Sequence, residues 1–456
     1  MIDTDTITQP SLDFEALHQI GGEEGLSLDP ARLEGATIDG LSPRAIVRPE
    51  SNEQAAEFLK YAYQRGLKVA IQGGGTKRGL GNPITGLDLV LSTERLNNVL
   101  EYSPADLMLG VQAGANLQEV QRQLELNGQF LPIASPLSSK ATIGGAIAAN
   151  TSGPARLLYG PARDWLIGVR FALAEGLLAH GGGRVVKNVA GYDMMKVFIG
   201  SLGTLGLILD MNFKLMPLPK AGATMLLRFA KEKDACNAAL KIIDAGLFPN
   251  ALTVLDSRAA KMLDINAPEA ATLLLVEFCN TARAVERQTS DAVVVCQEFG
   301  SVKVERIEDE PTQKQIWRAI TDFAYADNSS SEKSFALKAG ILPDQSADIL
   351  EFAHQTAAQH NLEISGLAHA GHGLVYLLGK YEAEDEALIV INHISRRAEA
   401  QQGSLTVERV PLSLKRRLND VWGKALSEGE IKLMRGIKAK LDPQNILNPG
   451  RYVARI

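Results

Sequence analysis

The chain has 456 residues with 47 basic and 53 acidic side chains, a formal net charge of −6 that gives no electrostatic pull toward nucleic acid or an anionic membrane. Its three cysteines, Cys236, Cys279 and Cys296, lack CxxC spacing, which points to reduced thiols in a cytoplasmic compartment and excludes a zinc or iron–sulfur centre built by this chain. The length suits two domains, and no 18-residue apolar run reads as a transmembrane segment.

Residues 1–40 carry nine acidic side chains and one arginine, Arg32, without the basic-then-apolar order of a secretory signal. They read as a loosely structured or partly helical leader with no chemistry. Residues 44–49 form a short strand ended by Pro49, and Ser51 with Gln54 makes an S-x-x-Q capping box that opens a helix through about Arg65. A strand over 67–72 then runs directly into Gly73, Gly74 and Gly75, a βαβ-like start. Strands follow at 88–92 and 107–113, a helix at 117–126 stops at Asn127 and Gly128, and strands at 166–174 and 207–215 complete a mixed domain. The breaker-rich Met216-Pro217-Leu218-Pro219 closes it near residue 220.

Three glycine-rich segments stand out within this half: IQGGGTKRGLG at 71–81, TIGGAIAANTSGPARLLYG at 142–160 and VVKNVAGYDMMKVFIGSLGTLG at 185–206. One phosphate needs a single glycine loop, so three backbone-exposing segments suit an elongated ligand such as a dinucleotide. In the first, glycine amides would cradle an anion while Thr76, Lys77 and Arg78 add a hydroxyl and charge. In the second, Gly144 and Gly145 permit close approach, Thr142, Asn150, Thr151 and Ser152 offer donors before Gly153, and Ala146, Ala148 and Ala149 leave room for a flat ring. Neither a Rossmann fingerprint nor a P-loop is present.

The second half alternates strands (224–229, 251–256, 272–277) with helices such as 233–245, the pattern of an antiparallel sheet covered on one side by helices. Residues 327–332 read as a surface loop. Arg318 is either a helix-surface residue or a bidentate grip for a carboxylate. Lys415-Arg416-Arg417 is a solvated helix face or a rim for an acidic partner. A helix at 431–440 and turns at Leu441-Asp442-Pro443 and Asn448-Pro449-Gly450-Arg451 end the chain.

The three glycine segments, in this order, resemble the flavin-binding domain of the vanillyl-alcohol oxidase/PCMH superfamily, and the tail (DVWG at 420–423, LDPQNILNPGRY at 441–452) is similar to the end of the FAD-linked oxidases, among them the FAD-binding subunits of bacterial glycolate oxidases. The resemblance implies an α+β chain: a leader at 1–40, a two-subdomain FAD-binding PCMH-type domain at 41–220, an α+β substrate or cap domain with an antiparallel sheet at 221–430, and a tail at 431–456 returning to the flavin. It implies non-covalent FAD, since no histidine lies in the first two glycine segments. Gly73, Gly74, Gly75, Thr76 and Lys77 would hold the pyrophosphate, with Thr142, Gly144 and Gly145 continuing toward the ring and Pro136, Asn150, Thr151, Ser152 and Gly153 alongside. Val189, Gly191, Tyr192 and Asp193 would line the adenosine end or a ring wall, and Arg451 would close over the flavin.

Catalytic members of that family carry a HAGDGNLH-like segment and a later SGEHG-like element for a divalent metal. Here the first is His369-Ala370-Gly371-His372-Gly373-Leu374-Val375-Tyr376 and the second is GSLTVE at 403–408. Two ligands are thereby lost, and no metal is expected. Arg318, His369 and His372 are the candidate catalytic residues. The resemblance further implies a small 2-hydroxy acid such as glycolate or D-lactate as substrate, and a catalytic flavoprotein subunit and an iron–sulfur subunit as partners, with any contact to the inner membrane made through them. A flavin-bearing relay or assembly subunit with no oxidation of its own is the other reading.

Overall fold

A computed structural model of the protein describes residues 11–183, 192–265, 271–326, 333–423 and 426–456; the loop expected at 327–332 lies outside them. The helix Asn52–Arg65 starts where Ser51 Oγ accepts the Gln54 N–H at 3.1 Å and ends at Gly66, whose φ of 66° only glycine adopts freely. The expected capping box is incomplete, because Gln54 Oε1 accepts from the Glu50 N–H at 2.8 Å and not from Ser51. Its stripe of Ala55, Phe58, Leu59 and Ala62 is buried against a four-stranded sheet of order Leu26–Ser27, Ala45–Val47, Leu89–Ser92, Val69–Gln72. The last three strands are parallel, and Leu89–Ser92 lies between the two that the helix joins, so the βαβ-like start is a split one.

A second sheet, antiparallel throughout, has the order Val99–Ser103, Met108–Gln112, Leu207–Lys214, Leu166–Ala172, Leu178–Gly182. Ala172, Leu207 and Leu209 from it join the core beneath the helix, which welds the two sheets. Of the two expectations for the leader, the partly helical one holds over the described residues 11–40, which carry helices at Phe14–Gly25 and Pro30–Gly35. Asp13 caps a helix at Phe14–Gly25, Leu17 is fully buried in the same core, and Gly21 sits so close to Phe58 that a β-carbon would lie 2.7 Å from its Cζ.

From Ala221 onward the chain builds one eight-stranded antiparallel sheet, in the order Lys303–Ile307, Ala221–Phe229, Thr272–Asn280, Ala251–Leu255, Glu363–His369, Leu374–Lys380, Ser334–Gly340, Ser404–Arg409. The helices Glu232–Asp244, Ala282–Glu298, Ser346–Gln359 and Glu384–Ala400 bury its one face in the largest core. After the helix Glu428–Leu441 the tail returns to the first sheet, where Leu447 bridges Val69 in parallel and Ile446 and Leu447 are fully buried. Among the described residues no helix is long and apolar enough to cross a membrane.

Candidate functional site

The strand Val69–Gln72 ends in the first glycine segment, which lines a cleft open to solvent. Thr142, Gly144, Gly145, Ala148 and Thr151 of the second segment line it too, as do Leu202, Gly203 and Gly206 of the third, and Arg451 of the tail. The backbone N–H groups of Gly74, Gly75, Thr76 and Lys77 make no hydrogen bond among the described residues. Gln72 Oε1 and Arg451 Nε, both on this cleft, are buried without a partner among the described residues. Free amides at one end, unpaired buried polar atoms and a floor of glycine and alanine are what an elongated ligand with an anionic centre and a flat ring requires.

The glycines serve the loops before they serve any ligand. A β-carbon on Gly73 would lie 2.1 Å from Thr142 Oγ1, and one on Gly144 would lie 2.6 Å from Ala113 Cβ. Gly144 and Gly145 line the cleft where they are expected, but their amides are taken: the Gly144 N–H donates to Ala113 O at 2.8 Å and the Gly145 N–H to Thr142 Oγ1 at 3.2 Å. Lys77 lines the cleft, and its Nζ lies 2.7 Å from Glu408 Oε2, 331 residues away. Pro136, Asn150, Ser152 and Gly153 are absent from the cleft lining, although Ser135 and Thr151 beside them belong to it. Tyr192 is 91% exposed and Asp193 caps the surface helix Met194–Phe198, so neither forms a cleft wall; Val189 and Gly191 lie outside the described residues.

Arg451 is 5% exposed and donates to Arg78 O at 2.9 Å, with Asp39 Oδ2 4.0 Å away. Asp39 in turn accepts from Lys415 Nζ at 2.7 Å, and Lys415 also bonds Gly79 O at 3.0 Å. Lys415 is therefore buried, not part of a solvated basic face, and it ties leader, glycine loop and C-terminal half together. Arg318 is exposed, its Nη2 3.5 Å from Gln118 Oε1 on the helix Leu117–Glu125. That places it at a surface seam between the two halves.

The other face of the large sheet is not bare, contrary to the expectation of helices on one side only: Leu226, Leu255, Leu275 and Leu367 pack there against the helices Ser257–Met262 and Glu310–Thr321, and the same face carries a row of polar side chains. Strand alternation and register put Glu277, Thr253, His369, Tyr376 and Lys338 on this face, with Tyr376 directly opposite Lys338. In the last strand a bulge leaves Glu408 unpaired between Val407, opposite Leu337, and Arg409, opposite Ala336. Its oxygens meet Lys338 Nζ and Lys77 Nζ at 2.7 Å each, and the group is 3% exposed. Burial alone would raise the Glu408 carboxyl; Lys338 and Lys77 outweigh it and hold the group well below the usual carboxylate range. Lys338, Tyr376 and Tyr325, whose ring lies 5.6 Å beneath Lys77 Nζ, carry no isolated sequence signal. Polar residues at alternate positions of otherwise apolar strands hinted at Lys338 and Tyr376 alone; Tyr325 stands in the short turn Phe323–Tyr325.

His369 is buried, with Nδ1 3.0 Å from Thr253 Oγ1, and burial with the neighbouring His372 pushes it well below the ordinary imidazole value. Burial and Arg156 lower His372 to about 4. Both rings are neutral near pH 7, and neither belongs to a group spaced for metal ligation among the described residues. The one such group is Glu232, Asp256 and His354, which is already closed by His354 bonding Asp256 at 2.8 Å and Glu232 at 3.3 Å.

Comparison with known proteins adds to this geometry. Residues 43–182 match the FAD binding domain, and residues 218–452 match the C-terminal domain of FAD linked oxidases. The chain is 29% identical to glycolate oxidase subunit GlcD of Bacillus subtilis, covering 91% of this chain and 89% of that protein. It is 26% identical to D-lactate dehydrogenase of Archaeoglobus fulgidus (91% and 94% covered) and 28% identical to D-2-hydroxyglutarate dehydrogenase of Xanthomonas citri pv. viticola (93% and 93%). Among solved structures, alkyldihydroxyacetonephosphate synthase superimposes with a TM-score of 0.75 at 17% identity, covering 97% of this chain and 87% of the other. p-Cresol methylhydroxylase does so with 0.74 at 16%, covering 96% and 95%. These two likenesses concern the fold, a PCMH-type flavin domain followed by a C-terminal α+β domain.

Proposed function

The chain belongs to the FAD-linked oxidases, and from that membership we propose that it is the FAD-binding subunit of a glycolate oxidase type of complex, oxidising a small 2-hydroxy acid such as glycolate or D-lactate to the 2-oxo acid. The observation that carries the reading is the Lys77–Glu408 ion pair, which brings the glycine loop of the FAD domain against the polar face of the C-terminal sheet. A cofactor in the cleft and a small polar substrate on that face would meet there. The relatives named for glycolate, D-lactate and D-2-hydroxyglutarate all match over more than nine-tenths of this chain. Their shared 2-hydroxy-acid motif supports the substrate class.

Bound FAD supplies a two-electron acceptor for the α-hydrogen of the substrate. The amides of Gly74 to Lys77 would face its pyrophosphate, and Arg451 Nε would find there the partner it lacks among the described residues. Electrons would leave through an iron–sulfur partner subunit alongside a catalytic flavoprotein subunit, in the cytoplasm or at the inner membrane through those partners.

A relay subunit without substrate oxidation is the second reading, favoured by Glu408: a carboxylate held ionised between two lysines is a poor proton acceptor. Anaerobic mixing of the flavin-loaded protein with glycolate or D-lactate separates the two. Bleaching of the flavin within a single turnover is the expected result, and a flavin that stays oxidised with both acids leaves the relay.

A further inference from the structure

The leader, expected to carry no chemistry, reaches the cleft. Ile38 and Leu41 exchange both N–H···O bonds at 2.9 Å around Asp39 and Gly40, whose φ values of 50° and 83° make a two-residue hairpin turn of the primed kind, and Ile38 lines the cleft. This turn holds the Asp39 carboxylate between two buried cations, unequally: Lys415 Nζ is 2.7 Å from Oδ1, whereas Arg451 Nη2 is 4.0 Å from Oδ2. Oδ2 accepts the Ile84 N–H at 3.2 Å. All three side chains are at most 6% exposed, so water screens them little. Arg451 keeps its charge uncommitted. Its Nη2 donates to the carbonyl of Arg78, its Nε has no partner among the described residues, and the residue lines the cleft.

We propose that Lys415 is a positioning residue for cofactor binding: by occupying Asp39 it leaves the Arg451 guanidinium to the phosphates of FAD. The proposal rests on the placement of FAD given above. Without the Lys415 ammonium, Asp39 is a buried carboxylate left with Arg451 as its ion-pair partner. The planar fork of a guanidinium suits a carboxylate as well as a phosphate, and in a buried place the attraction is strong. Arg451 would then turn from the cleft to Asp39, and the neutral pair would present no charge to an anionic ligand. Removing the Asp39 charge has no such effect, because it takes nothing from Arg451. Asparagine at this position also tolerates the left-handed backbone and still accepts the Ile84 N–H. The two ends of one ion pair therefore act differently on the cofactor, which a simple brace between leader and C-terminal half would not show.

The test uses the full chain, stripped of flavin with potassium bromide and titrated with FAD by calorimetry and flavin fluorescence. Expected is a Kd raised about tenfold or more in Lys415→Met, the scale of one charge-assisted hydrogen bond, and no increase in Asp39→Asn. In the chain carrying both substitutions the Kd should return to within about threefold of the parent, because Arg451 has no carboxylate left to turn to. If Lys415→Met does not fold, the other two chains decide. A Kd raised about tenfold in Asp39→Asn, or in the double variant, overturns the proposal, since a purely structural brace gives both. Arg451→Met with the Kd of the parent overturns it as well and takes the phosphates away from the tail. A parent chain that takes up no FAD after stripping removes the placement of the flavin itself.

Discussion

A β-carbon placed on Gly74 would stand 1.7 Å from the carbonyl oxygen of Lys140, so the first glycine loop is pressed against the backbone that leads into the second. The glycine expected to admit a phosphate therefore first admits another loop. Gly74→Ala must push two backbones apart, a destabilisation of about 1–3 kcal/mol by the usual cost of overpacking, and the displaced amides of Gly75 to Lys77 should lower flavin content on purification. Normal flavin content together with an unchanged melting midpoint would show that the loops are not in contact.

The tail is held by a buried ion pair. Lys438 Nζ lies 2.6 Å from Asp442 Oδ2 and also donates to Thr204 O at 2.7 Å and Leu447 O at 3.0 Å, while Asp442 accepts the N–H groups of Ile446 and Leu447. Lys438→Met leaves a buried carboxylate without its cation, which costs about 3–5 kcal/mol. Urea titration should show this loss, and limited proteolysis should release the segment beyond Leu441 first. A loss under 1 kcal/mol would mean that the tail is anchored elsewhere.

His354 gives stability a pH dependence of definite sign. Burial opposes its charge, but bonds to Asp256 and Glu232 prevail and raise it to about 9. The folded state therefore holds a proton that the unfolded chain releases near 6.5. The contribution is full below about pH 6.5 and is lost as pH rises through 9. Chemical denaturation at pH 6, 7.5 and 9.5 should show the decline, and His354→Gln should flatten it. A decline that survives the substitution belongs to another group.

Glu277 acts in the opposite sense to a paired acid. Burial raises its carboxyl to about 7, so the folded state favours the protonated form and loses stability as pH rises from about 4.5 to 7. Glu277→Gln keeps the shape without the charge. The variant should melt higher than the parent at pH 8 and level with it at pH 5; equal midpoints at pH 8 would place the carboxyl in water.

Tyr192 provides a contrast, being 91% exposed. Tyr192→Ser should alter stability by less than about 0.5 kcal/mol and leave flavin content unchanged. A loss of flavin on this change alone would restore the wall of the cleft that the sequence suggested.

Much of the architecture was legible because its signals are local. Ser51 before the helix at Asn52–Arg65 and Gly66 after it act within a turn of where they stand, and the three glycine segments declare a backbone-lined cleft whatever surrounds them. The docking of the leader is not legible, because its buried residues Leu17, Gly21, Gly25, Ala36 and Ile38 are scattered, too few in any one helix to produce a periodic pattern. Lys415 was read as solvated because nothing near it in the chain announces Asp39, 376 residues away.

By itself the sequence determined the family, the helices and strands, and the existence of a flavin cleft, since propensity, capping and glycine geometry depend on neighbours along the chain. Tertiary structure alone decided that Lys77 at the cleft pairs with Glu408, that Lys338 completes the ion triple, and that the amides of Gly144 and Gly145 bond within the protein. The physical reason is register. Which side chains meet across the sheet is set by strand order and by one bulge at Glu408, and a shift of a single residue would have turned Lys338 to the opposite face.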